Sequence, residues 1–581
     1  MTKTINVDVL IAGAGPAGAS TAVFLGKQGI NTMMISRNRG PADTPRAHIV
    51  NQRTMEVFRD AGLEEDCREV ASSAESLANT FFVRGFAGEE LARQWAWGNN
   101  PERMGDVLTA SPCSFVDLPQ HKMEPILLSE ATRLGVHVRF DTKLLSLTQD
   151  EEGVTARILD CLTETEYDVR AKYLVGADGA NSTVVKELGL PLAGEGGLGS
   201  AYNIFCDMDL SAYTTHRQGS LYLILQSGVA EWSGVVVFRM VRPWNQWLVS
   251  IYIPPHYDGP DATEEQLVWR IREAIADPAA ADLDIKIRSV SKWSINDIHA
   301  EKISSGRVHC MGDAVHRHPP AAALGSNTCI QDGFNLAWKL ALVLQGKAHP
   351  RLLDSFNDER QPVAKQIVQR ANASMWQANG FADYLGACLF NVYSDEEVDA
   401  KLATPEGRDG YKEQLLDTRY NGEAHGVELT RRYRSVAVMD DGSPEPQAPQ
   451  DPELYYQPST HPGSALPHGW LSTRKPGPVK STLDVAGKGK FHIFSSHGGE
   501  KWKEAAKKVT EQTCVAIGVS LIGTGLDYED PYLDWEKIRG VEENGCVLVR
   551  PDLIVAWRSD KLPGNPEKTL LQAMNSLLGW D

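Results

Sequence analysis

A six-residue turn, Gly13-Ala14-Gly15-Pro16-Ala17-Gly18, constrains this chain more than any other stretch. The apolar run 7–12 (VDVLIA) precedes it. A helical run to about Gln28, closed by Gly29, follows, and 31–36 reads as a second strand. Glycines in G-x-G-x-x-G spacing, inside a βαβ unit of about 30 residues, form the fingerprint of a turn that holds a dinucleotide pyrophosphate. Gly13 permits the tight turn, Gly15 lets the backbone approach the phosphates, and Gly18 lets the helix pack on the strand. Pro16 near the first helical position and Gly29 just past the last fit the usual asymmetry of helix ends. Pro16 and Ala17 join the three glycines as candidate cofactor contacts. The fingerprint expects an acid at the end of the second strand for the adenosine ribose. Here Ser36 stands, followed by Arg37. Serine still hydrogen-bonds a hydroxyl, without the charge-assisted component.

A second stretch has a related grammar. Residues 312–332 (GDAVHRHPPAAALGSNTCIQD) follow a strand-like run, 307–311, and lead into an amphipathic helix over about 327–345. An acid at a strand end suits sugar hydroxyls, and a helix N-terminus offers free amides to an anion. Between the two stretches, 173–182 (YLVGADGANS) reads as a strand ending in an acidic glycine turn. The segment 45–53 leads into a helix through about Ala61, and Pro119-Gln120 opens another helix over 121–134.

At 581 residues the chain holds two or three domains. A net charge of −18 argues against a nucleic-acid or membrane-surface binder, and leaves an anionic cofactor to local basic groups such as Arg46. Nine cysteines without CxxC or metal-like spacing predict free thiols in a reducing compartment, with no metal site. No signal peptide or long apolar run is visible, so the expectation is a cytoplasmic protein without a membrane span. Alternating, Trp-rich runs at 220–225, 234–241 and 247–253, within 198–294, predict an antiparallel sheet covering a substrate pocket. Residues 352–399 read as helical. Six prolines between 444 and 462 suggest a linker over 444–465, and strand–helix alternation after it predicts a small α/β domain over 466–581.

Three motifs together, GAGPAG at 13–18, GADGANS at 176–182 and GDAVHRHPPAAALGSNTCIQDGFNLAWKLA at 312–341, resemble the single-component FAD-dependent aromatic hydroxylases, the para-hydroxybenzoate hydroxylase-like flavoprotein monooxygenases. PRAHIVNQRTMEVFRDAGLEE at 45–65, LPQHKMEPILL at 118–128 and GCVLVRPDLIVAWR at 545–558 are similar to the phenol 2-monooxygenase branch. The resemblance implies an α/β fold. A discontinuous Rossmann-like FAD domain of the glutathione reductase type (1–75, 105–196, 297–380) would be interleaved with a substrate-binding sheet domain (76–104, 197–296). A helical segment (381–443) and a thioredoxin-like C-terminal domain without redox cysteines would follow.

The same resemblance assigns roles. Gly13, Gly15 and Gly18 would hold the FAD pyrophosphate, and Arg46 and Gln120 would contact phosphate or ribityl groups. Asp178 would lie in the motif shared with the nicotinamide. Gly312 and Asp313 would serve the ribityl or ribose hydroxyls, and Pro320 would stand beside the flavin. Leu324, Gly325, Ser326 and Asn327 would place a helix N-terminus at the flavin's pyrimidine edge. NADPH or NADH would reduce FAD, and O₂ would add to give a C4a-hydroperoxide that hydroxylates a small phenolic substrate ortho to its hydroxyl. His48 is the candidate acceptor of the phenol proton, and Arg242 a candidate to stabilise the phenolate. His316 and His318 are read as FAD-side or structural. The implied assembly is a homodimer or homotetramer. A larger polycyclic or polyketide phenol is the alternative substrate, and a flavin reductase or dehydrogenase without oxygen transfer, or a flavin-fold binding protein, the alternative classes. Two departures stand out. Val185 occupies a place where the family has arginine, and Ala321-Ala322-Ala323 stands where it has glycine, although alanine is disfavoured at positive φ.

Overall fold

The computed structural model describes residues 4–226, 232–253, 260–386, 394–448 and 450–580. β1 (Thr4–Ala12), α1 (Pro16–Lys27) and β2 (Thr32–Ile35) make the expected βαβ unit. The chain continues through α2 (Gln52–Ala61) and α3 (Gln120–Arg133), and β3 (Thr165–Gly176) returns to the same sheet. β4 (Val235–Arg242) belongs to a second sheet, and β5 (Val308–Cys310) rejoins the first. α4 (Gly325–Leu344) and α5 (Asp354–Tyr384) follow, and β6 (Cys546–Val549) lies in a C-terminal sheet.

The first sheet has a parallel core in the order β5, β3, β1, β2 and His137–Arg139. Val9, Leu10 and Ile11 of β1 are wholly buried, as a parallel strand covered on both faces requires. Ala12 pairs with Gly176 and with Ile35, and Gly176 pairs with Cys310. Four strands therefore end level at their carboxyl edges, with β1 between β2 and β3. Open parallel sheets leave their ligand crevice at such an edge.

The second sheet, of eight strands, is antiparallel except where Leu221–Leu225 runs parallel to Asn79–Val83. In β4, Val236, Phe238 and Met240 enter a core with Trp247 and the helix Glu264–Ile275. Val235, Val237, Arg239 and Val241 take the opposite face by strand alternation. His316–Arg317 forms the far edge of this sheet, pairing with His299 and Ile298.

The C-terminal unit is a four-stranded sheet, Ile517–Leu521, Phe491–Ser495, β6 and Val555–Ser559, with helices Lys501–Thr513 and Pro566–Leu577. The eight cysteines among the described residues are free. The proline-rich stretch 444–465 is irregular, yet Leu454 and Thr460 are buried within it. Proline stops regular structure without preventing packing. The helical expectation for 352–399 is met by α5 and by Asp395–Leu402, while 387–393 lies outside the described residues.

Four charged side chains join the C-terminal sheet to α4 and α5. Lys339 Nζ donates to Glu359 at 2.8 Å, and Arg550 reaches both Glu359 oxygens at 2.6 and 2.9 Å. Arg550 also reaches both Asp552 oxygens at 2.9 and 2.6 Å. None of the four is more than 2% exposed. Two cations face two carboxylates, so the buried group is neutral as a whole. Removing one charge from such a group leaves another uncompensated. Glu359→Gln is expected to lower stability by about 3–5 kcal/mol, read as a shift of the urea midpoint. An unshifted midpoint would show that the quartet adds nothing.

Ahead of α4, Ala322 and Ala323 have φ of 58° and 51°. The chain keeps a glycine-type backbone with alanine in it. Ala322 and Leu324 pack with Val363, Ile367 and Tyr433, and Ala323 packs beside Ile49, Trp97 and Phe115, so packing on both sides holds the turn. A left-handed alanine costs roughly 1–2 kcal/mol, which offsets the methyl contacts and backbone entropy that a glycine would lose. Ala322→Gly is therefore expected to change stability by less than about 1 kcal/mol, against about 2 kcal/mol lost by Ala337→Gly, a buried mid-helix position in α4. Equal losses in thermal unfolding would contradict this.

Candidate active site

A Cβ on Gly13, whose φ is +112°, would stand 2.0 Å from the Ala177 carbonyl oxygen. One on Gly18 would stand 2.0 Å from the Gly13 carbonyl oxygen. Gly15 differs: a Cβ there would meet only a Glu124 oxygen, 3.9 Å away, so the space in front of it stays open. α1 starts at this point with Gly15 as its cap, Pro16 in its first turn and no side chain on its free amides. Those amides and the positive end of the helix dipole suit a phosphate. Ser36 closes β2 and is buried, and its hydroxyl accepts the Asn38 amide at 3.2 Å, whereas Arg37 is exposed.

The loop after β2 is stapled to the start of α3. Glu124 accepts the Ala42 amide at 2.5 Å and Gln120 Nε2 at 2.6 Å, and the Gln120 amide donates to the Ala47 carbonyl at 2.8 Å. Burial raises the Glu124 pKa, against the pull of these hydrogen bonds and of Arg46, whose own side chain is exposed. Asp178 is used inside its own turn. It accepts the Ser182 hydroxyl at 2.5 Å and the Thr183 amide at 2.6 Å.

Gly312 brings the third motif against the first. At φ +63°, a Cβ on it would lie 3.1 Å from Ala17 Cβ and 3.2 Å from Cys329 Sγ. Asp313 is exposed, while the Gly312 amide donates to buried Asp332 at 3.2 Å. His316 also bonds Asp332, at 3.1 Å. His318 bonds the Pro319 carbonyl at 2.7 Å, and a Cβ on Gly325 would stand 3.5 Å from its ring. Pro320 is exposed and Leu324 is the buried cap of α4, with no side chain capping the amides that follow. Asn327 turns its side chain elsewhere. It accepts the Asn51 amide at 3.1 Å and donates to the Ile49 and Ala323 carbonyls at 2.9 and 2.7 Å. It thereby ties the segment carrying His48 to α4.

That segment pairs antiparallel with Val116–Asp117, with Ile49 opposite Asp117. His48 Nδ1 lies 2.9 Å from Asp117 Oδ2. Nδ1–H donates to the carboxylate, which leaves Nε2 as a bare acceptor. No protein group among the described residues bonds Nε2. Burial lowers the His48 pKa, Arg239 lowers it further, and Asp117 only partly opposes them. His48 is therefore neutral at pH 7. Arg239 is buried too. Its Nη1 donates to the Arg46 carbonyl, while Nε and Nη2 have no partner among the described residues. Burial pushes its pKa down to about 10, against the pull of Asp117, so it stays a cation.

Arg242 does not join this group. It is exposed at the last position of β4, beyond a register shift between Met240 and Arg242. The arginine that β4 sends towards His48 is Arg239, on the face alternation assigns to it. Asp117 and Arg239 were both missed by sequence reasoning. Asp117 lies one residue ahead of the LPQ run at 118–120, and Arg239 sits among valines in VVVFRMVR.

The glycine cradle, two uncapped helix N-termini meeting through Gly312 and exposed Asp313 fit a long dinucleotide such as FAD. Residues 6–371 match the FAD binding domain family, and residues 459–580 match the C-terminal domain of aromatic-ring hydroxylases. The chain is 44% identical over 589 residues to 2,4-dichlorophenol 6-monooxygenase of Cupriavidus pinatubonensis (strain JMP 134 / LMG 1197), covering 100% of this chain and 97% of that one. It is 40% identical over 582 residues to phenol 2-monooxygenase of Pseudomonas sp. (strain EST1001), covering 99% and 93%. The fold matches the crystal structure of the flavin-dependent monooxygenase PieE in complex with FAD and substrate at a TM-score of 0.94 and 42% identity, covering 99% and 100%. With both family models matched and two relatives aligned nearly end to end, the chain belongs to the FAD-dependent aromatic-ring hydroxylases, on the phenol hydroxylase branch.

Proposed function

We propose that this protein hydroxylates a small phenol ortho to its hydroxyl group, using FAD, NAD(P)H and O₂. The observation that carries the reading is the neutral His48, backed by Asp117, beside an Arg239 guanidinium with two unpartnered nitrogens. A phenolate ring is far more electron-rich than a phenol ring. A phenol of ordinary acidity is only about one part in a thousand ionised at pH 7, so holding it as phenolate requires roughly 4 kcal/mol of differential stabilisation. His48 Nε2 accepts the phenol proton. Asp117 keeps Nδ1 protonated and stabilises the imidazolium that results. Arg239 offers its unpartnered edge to the phenolate oxygen, in a buried site where such a contact is strong.

FAD is held in this reading by Gly13, Gly15, Gly18 and the α1 amides at its pyrophosphate, with Ser36, Arg46 and Gln120 nearby. Asp313 serves its sugar hydroxyls, and the amides of Gly325 and Ser326 its ring system. The chemistry that bound FAD supplies is acceptance of electrons from NAD(P)H and activation of O₂. Asp178, engaged with Ser182 and Thr183, shapes the turn shared with the nicotinamide rather than offering a free carboxylate. We read the first sheet as Rossmann-like and the C-terminal unit as thioredoxin-like. The parallel pair Phe491–Ser495 and Ile517–Leu521 around a helix, followed by an antiparallel pair and a last helix, supports the second assignment.

A panel of substituted phenols tests the function. NAD(P)H consumption is expected to rise with the right phenol, and ¹⁸O₂ to place one labelled oxygen in the product. Oxidation of NAD(P)H without labelled product would point to a reductase, and selectivity for polycyclic phenols to the larger substrate class. His48→Ala is expected to lower hydroxylation by about 10²–10⁴-fold while the protein keeps its flavin spectrum. Because burial and Arg239 depress the His48 pKa, its neutral form persists to below its ordinary value of 6.5. The acid limb of kcat/KM should thus lie below 6.5 and vanish in His48→Ala. A limb above that value would remove His48 from the role.

A further inference from the structure

We infer that the chain carries a second binding site, for a small aromatic carboxylate, in the cavity between α5 and the segment 430–457. The cavity holds about 480 Å³, within the range of small-molecule sites. Its lining includes Arg431, which is 4% exposed. Arg431 Nη1 donates to Gln366 Oε1 at 3.2 Å. Among the described residues Nε, which is sealed, has no partner and no acceptor bonds Nη2.

No carboxylate lies within ion-pair distance of Arg431 among the described residues. Glu428 is the acid that acts on it, and burial pushes that carboxyl up to about 8, so it is mostly neutral at pH 7. Arg431 is thus a buried cation without a counter-anion, a costly state unless an anion completes it. Nε itself is sealed from the cavity, so Nη2 is the donor left for an oxygen of a carboxylate.

The other charges at the cavity do not answer Arg431. Arg432 donates to the Pro446 carbonyl and to Gln457, and exposed Arg434 pairs with Glu445. Both Glu359 oxygens are taken by Arg550, Lys339 and Ser435, and Asp358 is exposed. Pro362, Val363, Pro452 and Tyr433 give the cavity walls that suit a ring.

This cavity lies one layer behind the candidate active site. Arg360 Nη1 donates to the Tyr433 hydroxyl at 2.8 Å, and Arg360 Nε donates to Asp332 at 2.7 Å. Asp332 in turn holds the Gly312 amide, and Val363 and Tyr433 pack against Ala322 and Leu324. An occupant therefore touches the groups that support the loop at the cofactor cradle.

The test is calorimetric titration of the FAD-loaded enzyme with benzoate, with and without saturating phenol. One benzoate per chain is expected in both cases, with a shift in flavin absorbance. Arg431→Gln, which removes the guanidinium, and Gln366→Glu, which places a carboxylate against it, should each weaken binding by about tenfold or more. Arg239→Gln should leave it unchanged. Gln366→Glu is isosteric at a half-buried position, so the test stands even if Arg431→Gln fails to fold. No binding at millimolar benzoate, undiminished binding in Gln366→Glu, or loss confined to Arg239→Gln would each overturn the inference. The readout is binding and not turnover, so a failed phenol assay leaves it standing.

Discussion

The Asp332 carboxylate, buried in α4, takes three partners at once: the Gly312 amide, the His316 ring and the Arg360 guanidinium. Burial pushes its pKa up, and Arg360 and His316 more than reverse that, so it remains charged. A buried charge of this kind is stable only with its full set of partners. The third motif therefore has one way to sit. Gly312 lies against Ala17 of the first motif, and the strand His316–Arg317 is fixed as the edge of the second sheet. One electrostatic requirement registers the glycine cradle, α4 and the second sheet against one another.

The candidate chemistry is divided among those parts. The first sheet contributes the crevice and the helix amides. The 45–53 segment contributes His48, fastened to α4 through Asn327 and paired to Asp117 across a short ladder. The second sheet contributes Arg239, which also bonds the Arg46 carbonyl and so ties β4 to the loop beside Gln120. His48, Asp117 and Arg239 thus meet only when both sheets are in register. Asp117 and Arg239 offset each other in charge, so with His48 neutral the group as a whole carries no net charge.

Local signals made the cofactor half legible. Gly13, Gly15 and Gly18 act through backbone constraints fixed within one βαβ unit, and such constraints survive in sequence as spacing. The alternation of β4 was legible as well, but Arg242 was expected where Arg239 stands, because finding Arg239 required knowing a register shift at Met240, which depends on the neighbouring strand. Asp117 was illegible for a similar reason, because its role rests on pairing with Ile49, 68 positions earlier in the chain. Asn327 lies at the helix start that was expected, yet its side chain serves Ile49 and Asn51. Long-range polar contacts leave no periodicity to read. The alanines at 321–323 were legible as a departure, and the positive φ that Ala322 and Ala323 adopt is held by packing beside Tyr433 and Trp97.

The charged quartet that links β6 to α4 and α5 bears on how such a protein is inherited. Lys339 and Glu359 belong to the cofactor-binding part and Arg550 and Asp552 to the C-terminal part; each pair is neutral by itself, but parted from the other it loses the two Arg550–Glu359 hydrogen bonds. Arg53 of α2 also reaches the Asp552 carbonyl, at 3.1 Å. A chain cut between the two parts would expose or strand these groups in both halves. The C-terminal part is thus not a detachable module that recombination can exchange freely. Any replacement must bring an arginine and an aspartate to the same buried place, or a wholly apolar surface with matching losses in α4 and α5.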